Sequence, residues 1–260
     1  MNLETLLFEV KGKVGIITLN RPEQRNALNG QMLVELNEVL DKCEIEKDIS
    51  VLVLTGGTKV FCAGADIKYA ASLQAEGKFV LFSKQTRDIF HKIETHSKPV
   101  IAAISGFVLG GGLELALCCD LRVASENAKI GMPEVKLGAI PGAGGTQRLS
   151  RLVGPALAKE LIFTGKHISA DEAYRINLVN TIAPAEEYLN KAVMLANDIS
   201  ENAPLALQAA KTSINTGLQV DLESGLNVET LCATALESTE DQKEGFLAFQ
   251  EKRKPVWKGQ

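Results

Sequence analysis

Three consecutive glycines, Gly110 to Gly112, lie between an apolar run, Val100-Ile101-Ala102-Ala103-Ile104, and a segment that reads as a helix from Leu113 onward. A strand that feeds a helix in this way is a βαβ building block and implies a largely parallel sheet. In the sequence, no packing need accounts for three missing side chains at such a junction. Close approach of a ligand to bare backbone does. Glu114 sits just inside the helix start, in LGGGLELALCCD, and Glu134 follows Pro133, in GMPEVKLGAIPGAGGTQRL. Two carboxylates beside backbone amides can hold one water and move protons to and from a carbonyl compound.

The remaining pattern places strands first and helices last. Leu6 to Val10 and Val14 to Leu19 flank Lys11-Gly12-Lys13, a hairpin signal with glycine in the turn. Asn29 predicts the N-cap of a helix to about Glu46, with Met32, Leu33, Leu36, Val39 and Leu40 on one face. Ser50 to Thr55 reads as a strand buried on both faces. A polar helix is expected from about Asp66 to His96, broken near Gly77, and further strands at Pro99 to Ile104 and Leu121 to Ala124. Ser169-Ala-Asp-Glu172 is a capping box. From Ser169 onward no strand is expected, and helices are predicted at about 185–200, 204–217, 221–237 and 238–253. The boundary is set near residue 190: an α/β core over 1–190, then a helical region over 191–260 that must bury its apolar faces, self-association being one way.

Composition narrows the function classes. The chain has 260 residues, 45% hydrophobic and 23% charged, as expected of a soluble globular protein. It has no apolar run long enough to span a membrane, and MNLETLLFEVKGK lacks the basic and apolar regions of a secretory signal. Cys43, Cys62, Cys118, Cys119 and Cys232 are odd in number, two of them adjacent, which fits neither a disulfide framework nor a C-x-x-C metal site. A reducing cytoplasm is the expected home. Net charge is −4, against a nucleic-acid binder working by bulk electrostatics. The basic cluster EKRKPVWKG reads either as a solvated helix end or as a local contact to a phosphate. His91, His96 and His167 lack ligand spacing and read as surface or packing residues; no metal is expected. PGAGGTQ has Gln147 where a dinucleotide fingerprint needs its last glycine, and P-loop, HExxH and GxSxG motifs are absent.

A second glycine-bearing loop, KVFCAGADIK (59–68), follows the apolar strand Val51-Leu52-Val53-Leu54 and leads into a helix. Helix starts present unpaired amides with positive dipole character. The amide of Ala65 or Asp66 is placed to face a developing negative oxygen, with the Gly111 amide as its partner. Two such donors make an oxyanion hole built from main chain.

VFCAGAD, GGGLE and PEVKLGAIPGAGGTQRL, in this order, resemble the crotonase superfamily, and within it the enoyl-CoA hydratases. The resemblance runs from NRPEQRNALNGQM through GKHISADEAYRINLVN to the helical C-terminus. It implies a β/α spiral core with a helical C-terminal region that trimerises, commonly as a dimer of trimers, hence a homo-hexamer. It implies that the amides of Ala65 and Gly111 bind the thioester carbonyl oxygen and that Glu114 and Glu134 hold the water. By the same resemblance, the main-chain carbonyls of Ala63 and Ile67 receive the adenine amino group, and Lys68 lies near the phosphates of coenzyme A. Gln24 and Arg25 fall where members often place a basic residue against those phosphates. Coenzyme A enters as part of an acyl-CoA thioester substrate, so no separate cofactor is expected. Members that isomerise, dehalogenate or hydrolyse keep the oxyanion hole and alter one or both carboxylates. Both are present here, which favours reversible hydration of a 2-trans-enoyl-CoA. The rival readings are an enoyl-CoA isomerase of the same fold and, in a different class, a non-catalytic member that binds RNA or protein.

Overall fold

The computed structural model describes residues 2–260. Its spine is a six-stranded sheet in the order β1 (Leu6–Lys11), β2 (Val14–Leu19), β3 (Val51–Thr55), β5 (Val100–Ile104), β7 (Leu121–Ser125) and β10 (Thr181–Ala183). The β1–β2 hairpin is antiparallel and turns at Gly12, where φ is 58°; every other pairing in the sheet is parallel. A second sheet holds four strands of three residues each: β4 (Val60–Cys62), β6 (Phe107–Leu109), β8 (Lys129–Gly131) and β9 (His167–Ser169), in that order. The chain steps from large sheet to small sheet three times, β3 to β4, β5 to β6 and β7 to β8, and the two sheets keep the same strand order. That repeated step is the spiral expected from the sequence.

All five residues of β3, and all five of β5, are buried. Their side chains divide with period two between opposite faces. Leu52, Leu54, Ala102 and Ile104 pack into one core with Met32, Leu33, Leu36, Val39 and Leu40 of α1 (Gly30–Ile45). Val51, Val53, Ile101 and Ala103 pack on the other side against Tyr188, Ala192 and Ala196 of α8 (Tyr188–Ser200). Helix α1 starts where Asn29 accepts the Met32 amide at 3.0 Å, as expected. The polar helix splits into α2 (Ile67–Ala75) and α3 (Phe79–Thr95), with Gly77 at φ 70° between them. Helix α4 (Gly111–Leu117) follows the glycines. Two further helices, α5 (Gly145–Val153) and α6 (Pro155–Thr164), occupy a stretch in which no helix is predicted.

Two expectations fail in the second half. Strand β9 ends at Ser169, and β10 pairs with β7 through Thr181 to Ala183, so the region is not strandless. Three residues are too few to show a strand's alternation in sequence. The expected boundary near residue 190 falls inside α8, whose buried face lies on the large sheet. After α7 (Ala170–Arg175), capped by Ser169, and α8, the remaining helices are α9 (Pro204–Gly217), α10 (Leu222–Leu236) and α11 (Glu240–Glu251). Helices α9 and α10 bury no residue and pack chiefly on each other. Among the described residues no helix is long and apolar enough to cross a membrane. His96 is buried, whereas His91 and His167 are exposed.

Candidate active site

Three loops leave the carboxyl ends of neighbouring parallel strands of the small sheet: Ala63 to Asp66 after β4, Gly110 after β6, and Met132 to Glu134 after β8. In α/β sheets that edge is where ligands bind.

The first loop is stapled from below. Asn26, buried and at φ 54°, donates its carboxamide to the carbonyls of Gly56, Val60 and Phe61 at 2.7, 3.0 and 3.1 Å. The Leu28 amide donates to the Gly64 carbonyl at 2.8 Å, and the Asp66 amide donates to the Leu28 carbonyl at 2.9 Å. This parallel bridge flanks Ala65 and turns Ala65's own N–H away from Leu28. Asp66 caps α2 by accepting the Tyr69 amide at 3.2 Å and pairs with Arg21 at 3.0 Å.

The Ala65 nitrogen lies close to the start of α4. A Cβ on Gly64 would lie 3.4 Å from the Gly111 nitrogen, and a Cβ on Gly111 would lie 3.5 Å from the Ala65 nitrogen. Neither amide has an acceptor among the described residues. The two unengaged amides thus lie close together, and of Ala65 and Asp66 only Ala65 has a free N–H, the Asp66 amide being spent on the Leu28 carbonyl. The glycine triplet needs a different account from the one its sequence suggests. Gly110 is required by its backbone, at φ 53°. Gly112 is required by packing, because a Cβ there would run into the carbonyl oxygen of Cys62 in β4. At Gly111 a Cβ would meet Leu28 Cδ1 at 3.2 Å and the Ala65 nitrogen at 3.5 Å.

The two carboxylates differ in how they are held. Glu114, 4% exposed, accepts the amides of Ala143 and Gly145 on its Oε1, each at 2.7 Å. Burial pushes its carboxyl above the ordinary value, and the two amides oppose that shift by stabilising the charged form. Glu134 opens a short 3₁₀ turn, Glu134–Leu137, and both its carboxylate oxygens are buried without a hydrogen-bond partner. A Cβ on Gly110 would lie 3.1 Å from Glu134 Oε1, so the carboxylate faces the glycine turn. Burial raises its pKa to about 7, with the charge of Glu114 adding to the shift. Burial raises both carboxyls; Glu114 is fixed by two amides that favour its charged form, and Glu134 is held by no hydrogen bond.

Ala63 is half-buried, and Ile67 and Lys68 are exposed on the first turn of α2. Among the described residues no group of three or more His, Cys, Asp or Glu side chains is gathered as a metal site requires.

The family model for enoyl-CoA hydratase/isomerase matches residues 9–260. The chain belongs to the enoyl-CoA hydratase/isomerase family. It is 47% identical to the short-chain-enoyl-CoA hydratase of Clostridium acetobutylicum over 98% of this chain and 97% of that one. It is 44% identical to the crotonyl-CoA hydratase of Syntrophomonas wolfei, over 98% of each chain. The crystal structure of an enoyl-CoA hydratase from Bacillus anthracis superposes with a TM-score of 0.94 at 42% identity, covering 99% of this chain and 100% of that one.

Within this family framework, several residues that shape the site escape sequence reasoning. Ala143 and Gly145 act through main chain, which no side-chain pattern reports. Asn26 had a faint signal: asparagine is among the few residues that accept a left-handed backbone. Arg148 gave none. The basic C-terminal cluster is engaged within its own region. Arg253 forks onto Glu244 at 2.6 and 2.9 Å, and Lys258 pairs with Glu240 at 2.9 Å.

Proposed function

We propose that the chain reversibly hydrates 2-trans-enoyl-CoA thioesters to 3-hydroxyacyl-CoA. The observation that carries this reading is the closeness of two unengaged main-chain amides, Ala65 and Gly111, with two buried carboxylates, one clamped by amides and one without a hydrogen-bond partner. The thioester oxygen sits between the two N–H groups. Glu114, ionised, takes a proton from a water whose oxygen bonds to the β-carbon. The double-bond electrons move towards the carbonyl, and negative charge collects on the thioester oxygen, where the amides meet it. Glu134, protonated, gives its proton to the α-carbon. Removal of either carboxylate ends one half of this exchange, which separates hydration from isomerisation of the double bond.

The main-chain carbonyls of half-buried Ala63 and exposed Ile67 receive the adenine amino group, and exposed Lys68 stands near the phosphates. Coenzyme A arrives with the substrate, and no further cofactor or metal takes part. The test is loss of the ultraviolet absorbance of the conjugated thioester on mixing the protein with crotonyl-CoA. Recovery of 3-hydroxybutyryl-CoA supports the reading; an inert mixture, or double-bond migration of a 3-enoyl-CoA without hydration, overturns it. Acidic net charge argues against a nucleic-acid role. The five cysteines are free and four are buried, which fits a reducing compartment, the cytoplasm.

Both directions use a pair that carries one proton in total, on Glu134 for hydration and on Glu114 for dehydration. Their pH profiles should therefore share the same limits, which belong to the pair. With Glu134 at about 7, kcat/KM should fall above about pH 7 in both directions. A hydration rate that climbs steadily through neutrality would show that Glu134 is not the proton donor.

The helices that follow α8, from α9 onward, form the oligomerisation region in this reading, and the assembly is a hexamer built as a dimer of trimers. Support comes from α9 and α10, which leave Ile214, Leu218, Leu222, Leu226 and Leu231 between 52% and 79% exposed. Apolar helix faces of this kind ordinarily pack on a neighbouring subunit. Mass measurement at micromolar protein should give a trimer or hexamer, and a monomer would overturn the assignment.

A further inference from the structure

Arg148 lies on α5, outside both the carboxylate pair and the amide pair, yet its guanidinium is tied to the turn that holds Glu114. Its Nε and Nη2 donate to the two carboxylate oxygens of Glu94, at 3.1 and 2.8 Å. Its Nη1 donates to the carbonyl of Ala143 at 3.0 Å. Ala143 is thus held at both ends, because its N–H donates to Glu114 Oε1. Gly144, at φ 112°, has no room for a Cβ, which would run into Arg148 Nη1. The guanidinium therefore lies directly under the turn whose two amides clamp the carboxylate.

The anchor is itself anchored. Glu94 stands near the end of α3, and its main-chain carbonyl accepts the side-chain amide of Asn215 from α9 at 3.1 Å. Burial acts to raise the Glu94 carboxyl, but the Arg148 fork outweighs it and holds the group below the ordinary value. Glu94 stays ionised and the fork stays closed across the neutral range. Bidentate pairs of this kind fix geometry as well as charge, which a lysine cannot do.

We propose that Arg148, anchored by Glu94, is a positioning residue for Glu114: it sets the Ala143–Gly145 turn so that one carboxylate oxygen is clamped and the other is aimed at the water. The inference rests on the reading of Glu114 as the water-activating base. The plainer alternative is a staple between α3 and α5 that merely stabilises the fold. The two differ in what Arg148 does to Glu114. The groups facing Glu114 are Glu134 from the turn after β8, Cys118 from its own helix, Arg148 from α5 and, behind the fork, Glu94 from α3. The Cys118 thiol is pushed well up by burial and remains neutral. Arg148 is the one cation among them, and it favours the ionised base.

The experiment compares steady-state and single-turnover hydration of crotonyl-CoA by the full-length protein and by Arg148→Met, Arg148→Lys and Glu94→Gln. Arg148→Met should lose about 10²-fold in kcat, the loss that a displacement of about 1 Å can bring, with KM little changed. Its acidic pH limb should move to higher pH, since a cation that favours the charged base is gone, and Arg148→Lys should recover the limb more fully than kcat. In a Glu114→Gln background, Arg148→Met should cost almost nothing further. An equal loss in both backgrounds, or an unshifted limb with near-parental kcat, overturns the proposal and leaves the staple. If Arg148→Met does not fold, Glu94→Gln releases the same fork and is judged by the same two readouts. Failure of the parent protein to hydrate crotonyl-CoA would instead refute the hydratase reading on which the inference stands.

Discussion

Glu114→Gln and Glu134→Gln should each lower kcat for hydration by ~10²–10⁴-fold, the usual worth of one positioned proton-transfer group. The fold should survive both, because the carboxamide keeps the shape of the side chain. The double variant should lose much less than the product of the single losses, since the two groups act as a unit. Near-parental kcat in either single variant would refute the paired-carboxylate mechanism. Glu134→Gln carries a second readout, in stability. The Glu134 pKa is raised from 4.5 to about 7 on folding, so the folded state binds the proton more tightly than the unfolded chain. Stability is therefore lost as pH rises from below 4.5 through about 7. The Gln variant has no such loss, and it should melt above the parent at pH ~8, with the gap closing towards pH ~4. A gap that is the same at both ends would mean that the Glu134 carboxylate is not buried at a cost.

The second large effect concerns main chain. Gly111→Ala places a methyl 3.5 Å from the Ala65 nitrogen, beside the proposed pair of donors. Its nearest other neighbour is the Leu28 Cδ1 at 3.2 Å, a flexible side-chain end that can give way, so the fold should persist. We expect kcat to fall by ~10²–10³-fold, about the worth of one oxyanion donor. Ala65→Pro removes the other N–H and should cost a similar factor, whereas Ala65→Ser keeps it and should be nearly silent, the side chain being exposed. Proline can also disturb the loop after Gly64, so binding of a product-like CoA ester is measured alongside. If Ser loses as much as Pro while folding and CoA binding hold in both, the oxyanion hole lies elsewhere and VFCAGAD serves only the adenine.

Long, strongly patterned elements were legible in the sequence. Strand β3 announced burial on both faces by its unbroken apolar run, β5 announced itself as a strand, and α1 announced its start with Asn29. Helix α9 begins and ends where its pattern said, from Pro204 to Gly217. The site was legible for a different reason: glycines and acids are rarely placed together without cause, and they marked Gly111, Glu114 and Glu134. What the pattern could not carry was the small sheet. Strands β4, β6, β8 and β9 have three residues each, too few to repeat an alternation of period two, yet the carboxyl ends of β4, β6 and β8 lead into the loops that carry Ala65, Gly110 and Glu134. Gly112 is the instructive misreading. Its missing side chain looked like room for a ligand and is instead room for Cys62, a contact between residues 50 apart in the chain that local pattern cannot contain.

The unequal tethering of the two carboxylates also sets a direction of rest. In the proposed mechanism, the proton that Glu134 gives away is replaced by one on Glu114, so each turnover leaves the pair in the inverse of its starting form. The Ala143 and Gly145 amides favour the charged form of Glu114, and nothing comparable holds Glu134 charged. The proton therefore drains back to Glu134 once product has left, and the empty site idles in the form that accepts an unsaturated substrate. A reversible catalyst cannot alter its equilibrium, but through one asymmetric pair of amides it can choose which substrate it waits for.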